Sequence, residues 1–217
     1  MKVLSYILIL FIVSGCNIFS GQQEDYSDFE RIPLQSRVEN VQPMTGVVLW
    51  NTNGWAKSAK DKIQLEYSYM LYNDVCKGKD QFDWTPMDRL LEQVASRGHQ
   101  LVVRFRYTYV GQQCSVPDYI KEWPGYEETV AKSEGRDTYF PDWRCEELQR
   151  FHLEFHRRFA ERYDNDPRLA FVQTGFGLWA EYHIYDGPKI IGKTFPSKEF
   201  QTTFFQEMDK YFKNTTW

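Results

Sequence analysis

LAFVQTGFGLWAEYHIYDGP, residues Leu169 to Pro188, opens as a strand and ends as a loop crowded with aromatic rings. Leu169, Ala170, Phe171 and Val172 form a short apolar run directly after the turn signal Asp164-Asn165-Asp166-Pro167. Gly175 and Gly177 then break the strand and allow a close backbone approach. Trp179, Glu181, Tyr182, His183 and Tyr185 follow within the same loop. A carboxylate among aromatic rings at the C-terminal end of a buried strand is where an α/β barrel keeps its chemistry. Aromatic faces stack on sugar C–H surfaces, and a Glu shielded from water gains a raised pKa and can deliver a proton. The alternative for Glu181 is a hydrogen-bonded strand-end residue that only holds the loop.

Outward from this stretch, the chain alternates strand and helix. Gly46-Val47-Val48-Leu49-Trp50 reads as a first strand ending in an Asn-rich loop at Asn51, and Ile63 to Tyr72 as a second. Thr85 is expected to cap a helix with Pro86 at its first position, Met87, Leu90, Leu91 and Val94 on its apolar face, and Gly98 at its end. Leu101 to Tyr107 reads as a third strand with Arg104 and Arg106 on one face. A loop from Thr108 to Trp143 follows, long enough to suggest a functional role. Asp142 is expected to cap a helix running to about Tyr163, and Ser197 a last helix striped with Phe200, Phe204, Phe205, Met208, Tyr211 and Phe212. Alternation of this kind predicts parallel β/α units with right-handed crossovers.

Composition bounds the possibilities. With 42% hydrophobic and 26% charged residues among 217, the chain can bury one sizeable core. The 17% aromatic share suits a groove for sugars or peptides as well as a core of large side chains. A net charge of −4 without a basic stripe argues against nucleic acid as a partner. No phosphate-loop or dinucleotide fingerprint is present around Gly175 and Gly177, so no cofactor is expected. His152 and His156 are four apart on one helix, but Glu154 is two residues beyond the first His and no third ligand is evident; a solvated helix face is the expected account.

The first residues read as a leader. Lys2 supplies a positive n-region, Val3 to Val13 an apolar run, and Val13-Ser14-Gly15-Cys16 a small-residue cleavage site. That tetrad resembles a bacterial lipobox, which would make Cys16 a lipidated first residue and place the domain in the exported cell envelope, held to a membrane by its lipid. Residues 17–43 read as a polar tether and 44–217 as the domain. Of the remaining Cys76, Cys114 and Cys145, at most one pair can close; Cys114 with Cys145 is the expected pair, across the long loop.

Trp50-Asn51 at the end of strand one, Phe82-Asp83-Trp84 before the second helix, Arg104 in strand three and Glu181 beyond strand four together resemble the N-terminal half of β-galactosidase-like glycoside hydrolases, the retaining clan of barrel glycosidases. Gly177-Leu178-Trp179-Ala180-Glu181-Tyr182-His183 is most similar to a segment of uncharacterised bacterial lipoprotein members of that clan. The resemblance implies a partial (β/α)8 TIM barrel with about four β/α units, and a carbohydrate substrate. It implies Glu181 as general acid/base, kept protonated by neighbours such as Trp179, with a second carboxylate as nucleophile. Trp50, Asn51, Arg104, Gln173, Trp179 and His183 are the implied substrate-binding residues. Two departures stand out: the clan carries Asn where this chain has Ala180, and its nucleophile comes from a seventh strand, for which Asp74, Asp142 and Asp186 are the available substitutes. Four units fill about 170 residues and a closed eight-strand barrel would need about twice that, so a fragment or half-barrel is expected. The alternative function is a carbohydrate-binding lipoprotein without catalysis.

Overall fold

A computed structural model describes residues 44–58 and 62–217. Cys16, the leader and the tether of residues 17–43 lie outside the described residues. The elements run β1 (Val48–Trp50), α1 (Gly54–Ser58), β2 (Leu65–Leu71), α2 (Tyr72–Val75), β3 (Cys76–Gly78), β4 (Gln81–Phe82), α3 (Thr85–Ala95) and β5 (Gln100–Arg106). They continue with α4 (Asp118–Lys121), β6 (Thr129–Ser133), β7 (Arg136–Phe140), α5 (Glu146–Tyr163), β8 (Leu169–Gln173) and α6 (Lys198–Tyr211).

β1, β2, β5 and β8 form one parallel sheet in that order, so each strand neighbours the next along the chain. The chain is an α/β protein whose four parallel strands follow one another across the sheet in chain order. Side chains alternate between the two faces of this sheet. Met70, Leu101, Val103, Phe105 and Val172 join the main core under the helices, while Leu65, Val102 and Ala170 form a smaller cluster with Tyr67 and Phe171. A register shift between Leu101 and Val102 lets β8 follow β5.

Phe155 and Phe159 of α5 stand edge-on to Phe105, at 4.7 and 5.3 Å between centroids. Each such ring, fully buried, contributes about 1.5–3 kcal/mol. On the other side of α5, His152 and His156 pack at 4.6 and 5.0 Å from Phe204 of α6. Both histidines are buried, which corrects the expected solvated face. α5 is sandwiched between the sheet and α6, so two of its faces are covered. Burial pulls the His156 pKa down to about 4 and lowers that of His152 as well.

Two polar clusters fix the N-terminal side of the sheet. Glu66, fully buried, receives Arg97 through two nitrogens and lies 2.6 Å from His99 Nδ1. Asp164 at the end of α5 accepts the amides of Lys213, Asn214 and Thr215 and so docks the last residues. From there Thr216 forms a parallel bridge to Phe171, with its carbonyl accepting the Val172 amide at 3.0 Å.

Several local expectations change. Residues 108–143 are not one loop: they contain α4 and the antiparallel hairpin β6–β7. α3 begins at Thr85 with Trp84 at its cap position, and it is the Asp83 carboxylate that accepts the Thr85 amide. α5 begins at Glu146 after Cys145, because Asp142 is used by the Arg144 guanidinium and amide. Ser197 does cap α6, accepting the Phe200 amide at 3.2 Å. Cys76, Cys114 and Cys145 are free, so the expected Cys114–Cys145 bridge is absent; each thiol is buried as an apolar group in the main core.

Candidate functional site

Glu181 reaches the sheet because the loop after β8 folds back on itself. Gly177 donates its amide to Glu181 O at 2.8 Å and Leu178 to His183 O at 3.0 Å. A Cβ on Gly175 would collide with the carbonyl of Ala180, and one on Gly177 with that of His183, so both positions need glycine for close approach. Between them, Leu178 to Glu181 form a tight turn closed by the Glu181 amide on Leu178 O at 3.0 Å. Its central residues, Trp179 and Ala180, both have positive φ, 56° and 54°. That is the pattern of a type I′ turn, which normally takes Asn and Gly. A bulky residue in the left-handed region is strained, and the strain is held by the Trp179 amide bonding to Thr108 O at 3.0 Å.

Arg104 ties this turn to the strand ends. Its Nε and Nη2 both donate to Gln173 Oε1, at 2.9 and 2.6 Å, directly across the β5–β8 register. Its Nη1 donates to Glu181 Oε1 at 2.8 Å and to Trp179 O at 3.3 Å. Glu181 Oε2 lies 3.4 Å from His183 Nδ1. The Glu181 side chain is 37% exposed and ion-paired. The apolar enclosure expected around it from Trp179 is therefore replaced by a guanidinium on one side and solvent on the other.

Around this pair runs an arc of rings. Trp50, 46% exposed, stands 4.7 Å from Tyr67 and 5.2 Å from Tyr69. Tyr69 continues to Tyr109 at 6.1 Å, Tyr109 to Trp179 at 6.0 Å, and Trp179 to Tyr185 at 5.4 Å. Tyr185 in turn meets His183 at 5.5 Å. The Arg104 guanidinium lies 5.6 Å from the Tyr67 ring and 6.0 Å from that of Tyr69. Burial pushes both phenol pKa values up, and Arg104 opposes the rise.

Of the residues singled out in the sequence, Arg104, Gln173, Trp179, Glu181 and His183 meet directly, and Trp50 joins through Tyr67 and Tyr69. Asn51 contributes its amide to Tyr67 O at 3.0 Å. None of the three substitute carboxylates is placed against Glu181 by a hydrogen bond. Asp142 is buried under Arg144, Asp74 accepts the Leu71 amide, and Asp186 accepts the Glu134 amide. Burial works against the charge of Asp142, but Arg144 and the amides outweigh it and lower its pKa.

Tyr67, Tyr69, Tyr109 and Glu134 were not singled out as site residues. Glu134, at the tip of the β6–β7 hairpin, accepts a hydrogen bond from Tyr185 OH and thereby brings a second carboxylate to the rim of the arc. That bond pushes the Tyr185 pKa up to about 12. Tyr67 and Tyr69 were visible as the alternate residues of β2; Tyr109 and Glu134 depend on how residues 108–143 fold. Among the described residues, no group of three or more His, Cys, Asp or Glu is placed to hold a metal ion. A separate hollow lined by Gln100, Asp164, Pro167, Leu169 and Thr215 lies at the opposite ends of the strands.

No protein-family model matches the chain, and no curated protein matches it. Among solved structures it is similar to a β-galactosidase from the Antarctic haloarchaeon Halorubrum lacusprofundi, at 16% identity over 63% of this chain and 20% of that one, with a TM-score of 0.41. It is also similar to xylanase 10B from Thermotoga maritima, at 9% identity over 78% and 46% of the two chains, with a TM-score of 0.48. An α-galactosidase from Thermus thermophilus matches at 13% identity over 76% and 34%, with a TM-score of 0.38. The chain spans less than half the length of each of these structures.

Proposed function

We propose that this protein binds a poly- or oligosaccharide across the ring arc from Trp50 to Tyr185, and that Glu181 serves there as general acid/base in glycoside hydrolysis. One observation carries the reading: a carboxylate is fixed at the C-terminal ends of parallel strands by Arg104, and a run of rings from Trp50 through Tyr69 and Tyr109 to Trp179 lies along the same strand ends. Sugar rings present flat C–H surfaces that such faces accept, and their hydroxyls can bond with a carboxylate and an imidazole. Arg104 acts as a positioning residue, since Gln173, Glu181 and Trp179 occupy its nitrogens.

The same saturation favours a second reading, saccharide binding without turnover, in which Glu181 is part of the scaffold. Glu181→Gln separates the two. In an enzyme it should lower hydrolysis of aryl glycosides by about 10²- to 10⁴-fold while glycan binding survives. Full activity in that variant would exclude Glu181 as the proton-transfer group. Saccharide binding by an unaltered protein that hydrolyses no glycoside would establish the second reading.

Export and lipid attachment at Cys16 complete the proposal and rest on the lipobox-like leader alone. No helix among the described residues is long and apolar enough to cross a membrane. Metabolic labelling with a fatty acid, lost in Cys16→Ala, would establish the anchor; labelling that persists in the variant would remove it.

A further inference from the structure

Two arginines share one face of β5, and only one of them has a full set of partners. Arg104 is satisfied by Gln173, Glu181 and the Trp179 carbonyl. Arg106 is only 9% exposed, and no described carboxylate lies within ion-pair distance of it. Its one hydrogen bond among the described residues runs from Nη2 to Gln112 Oε1 at 2.9 Å, and its Nε is buried without an acceptor. An arginine so deeply buried normally has a counter-charge. The rings of Tyr109 and Tyr69, at 4.5 and 5.7 Å, balance part of the charge but offer Nε no acceptor in line with its N–H.

The surroundings do not supply the missing anion. Asp74 attracts Arg106 from a distance, but its carboxylate accepts the Leu71 amide and Lys77 bonds to its carbonyl. Burial draws the Arg106 pKa below its ordinary value, as expected for a guanidinium without a close counter-ion. Two further polar groups near Tyr109 are buried without partners, Thr108 Oγ1 and Trp179 Nε1. Arg106 thus holds a buried donor without an acceptor beside two rings of the arc, on the same strand face as the residue that holds Glu181.

We propose that Arg106 receives an anionic group carried by the bound saccharide, a uronate carboxylate or a sulfate ester, so that the site selects acidic over neutral glycans. The inference rests on the saccharide-binding reading of the arc. Gln112 is exposed on its loop and can yield Nη2 to a ligand oxygen in a charge-assisted hydrogen bond. A chain of net charge −4 repels acidic polymers in general, so a preference for them requires a local cation of this kind.

The test is calorimetric titration of the full chain with three probes of equal length. They are a tetragalacturonate, its carboxyl-reduced neutral counterpart, and the same neutral tetramer carrying sulfate esters. At least one anionic tetramer should bind about tenfold tighter than the neutral one, with the gap narrowing at high salt. Whichever anionic probe is preferred identifies the source of the charge. Arg106→Gln should bring the anionic tetramers down to the level of the neutral one, and Arg106→Lys should keep part of the preference. A preference that survives unchanged in a folded Arg106→Gln variant would overturn the role of Arg106. If neither variant folds, the three-way comparison on the unaltered chain decides. Neutral binding as tight as either anionic form overturns the inference but leaves the saccharide reading standing; binding of none of the three overturns both.

Discussion

Arg104 Nη1 lies 2.8 Å from Glu181 Oε1, so the end of β5 holds in place a side chain that belongs to the loop after β8. The same guanidinium holds Gln173 in the neighbouring strand, and one residue thereby sets the spacing of three segments. Arg104→Met keeps the aliphatic stem and removes every one of these bonds. The expected outcome is a loss of about 2 kcal/mol in urea unfolding and a tenfold or greater fall in saccharide affinity. Unchanged affinity would show that the turn carries Glu181 without help.

Glu66 presents the opposite case, a carboxylate fully buried on the helix side of the sheet and held by Arg97 and His99. Removing Glu66 takes both carboxylate oxygens from the largely buried Arg97 guanidinium. Glu66→Ala should cost about 3–5 kcal/mol, read as a lowered midpoint in urea denaturation with the slope preserved. Since the Glu66 side chain lies on the face of β2 opposite to that of its neighbour Tyr67, glycan affinity of the folded variant should be retained.

Stability should also fall with acid well before carboxylates protonate. His156 is held neutral, with its pKa near 4 against an ordinary value of 6.5, and His152 is lowered in the same direction. Between those two values the unfolded chain binds a proton that the folded chain refuses, so stability rises with pH across that window. Its full contribution is present above pH 6.5 and is lost as the pH falls toward 4. By pH 5 His156 alone should cost about 2 kcal/mol. Thermal melts at pH 7 and pH 5 would measure the difference, and His156→Gln should flatten it; an equally steep dependence in that variant would assign the effect elsewhere.

Ala180 occupies a left-handed position at φ 54° that glycine would adopt without strain. Ala180→Gly should stabilise the fold by about 1 kcal/mol. Gly177→Ala, at the residue directly before the same turn, should do the reverse, because its new methyl group meets the His183 carbonyl. Denaturant midpoints of the two variants should move in opposite directions.

The parts of this fold that were legible in the sequence are those with local causes. The apolar run at Leu169 to Val172, the glycines after it and the Ser197 cap each appear where residue chemistry demands them. Arg104 and Glu181 were both legible as candidates, but their contact depends on strand register and on a turn that residues 179 and 180 do not advertise. His152 and His156 are buried rather than solvated because helical periodicity records one apolar face, whereas α6 covers a second with Phe204. Asp142 is a plausible cap taken up by Arg144 and the Glu127 amide, and at Thr85 the preceding Asp83 accepts the amide instead. The free thiols followed the same logic: burial in the core satisfies a cysteine without a bridge.

The ring arc has an optical consequence. Trp50 and Trp179 stand at separate positions along it, and Trp143 is enclosed against Tyr107 and Phe176. Indole emission responds to contact with water, so on the saccharide reading a sugar seated on the arc should dim or shift the first two while the enclosed one stays constant. With Trp55, Trp84, Trp123 and Trp217 replaced by Phe, the remaining three would serve as a gauge of occupancy with an internal standard.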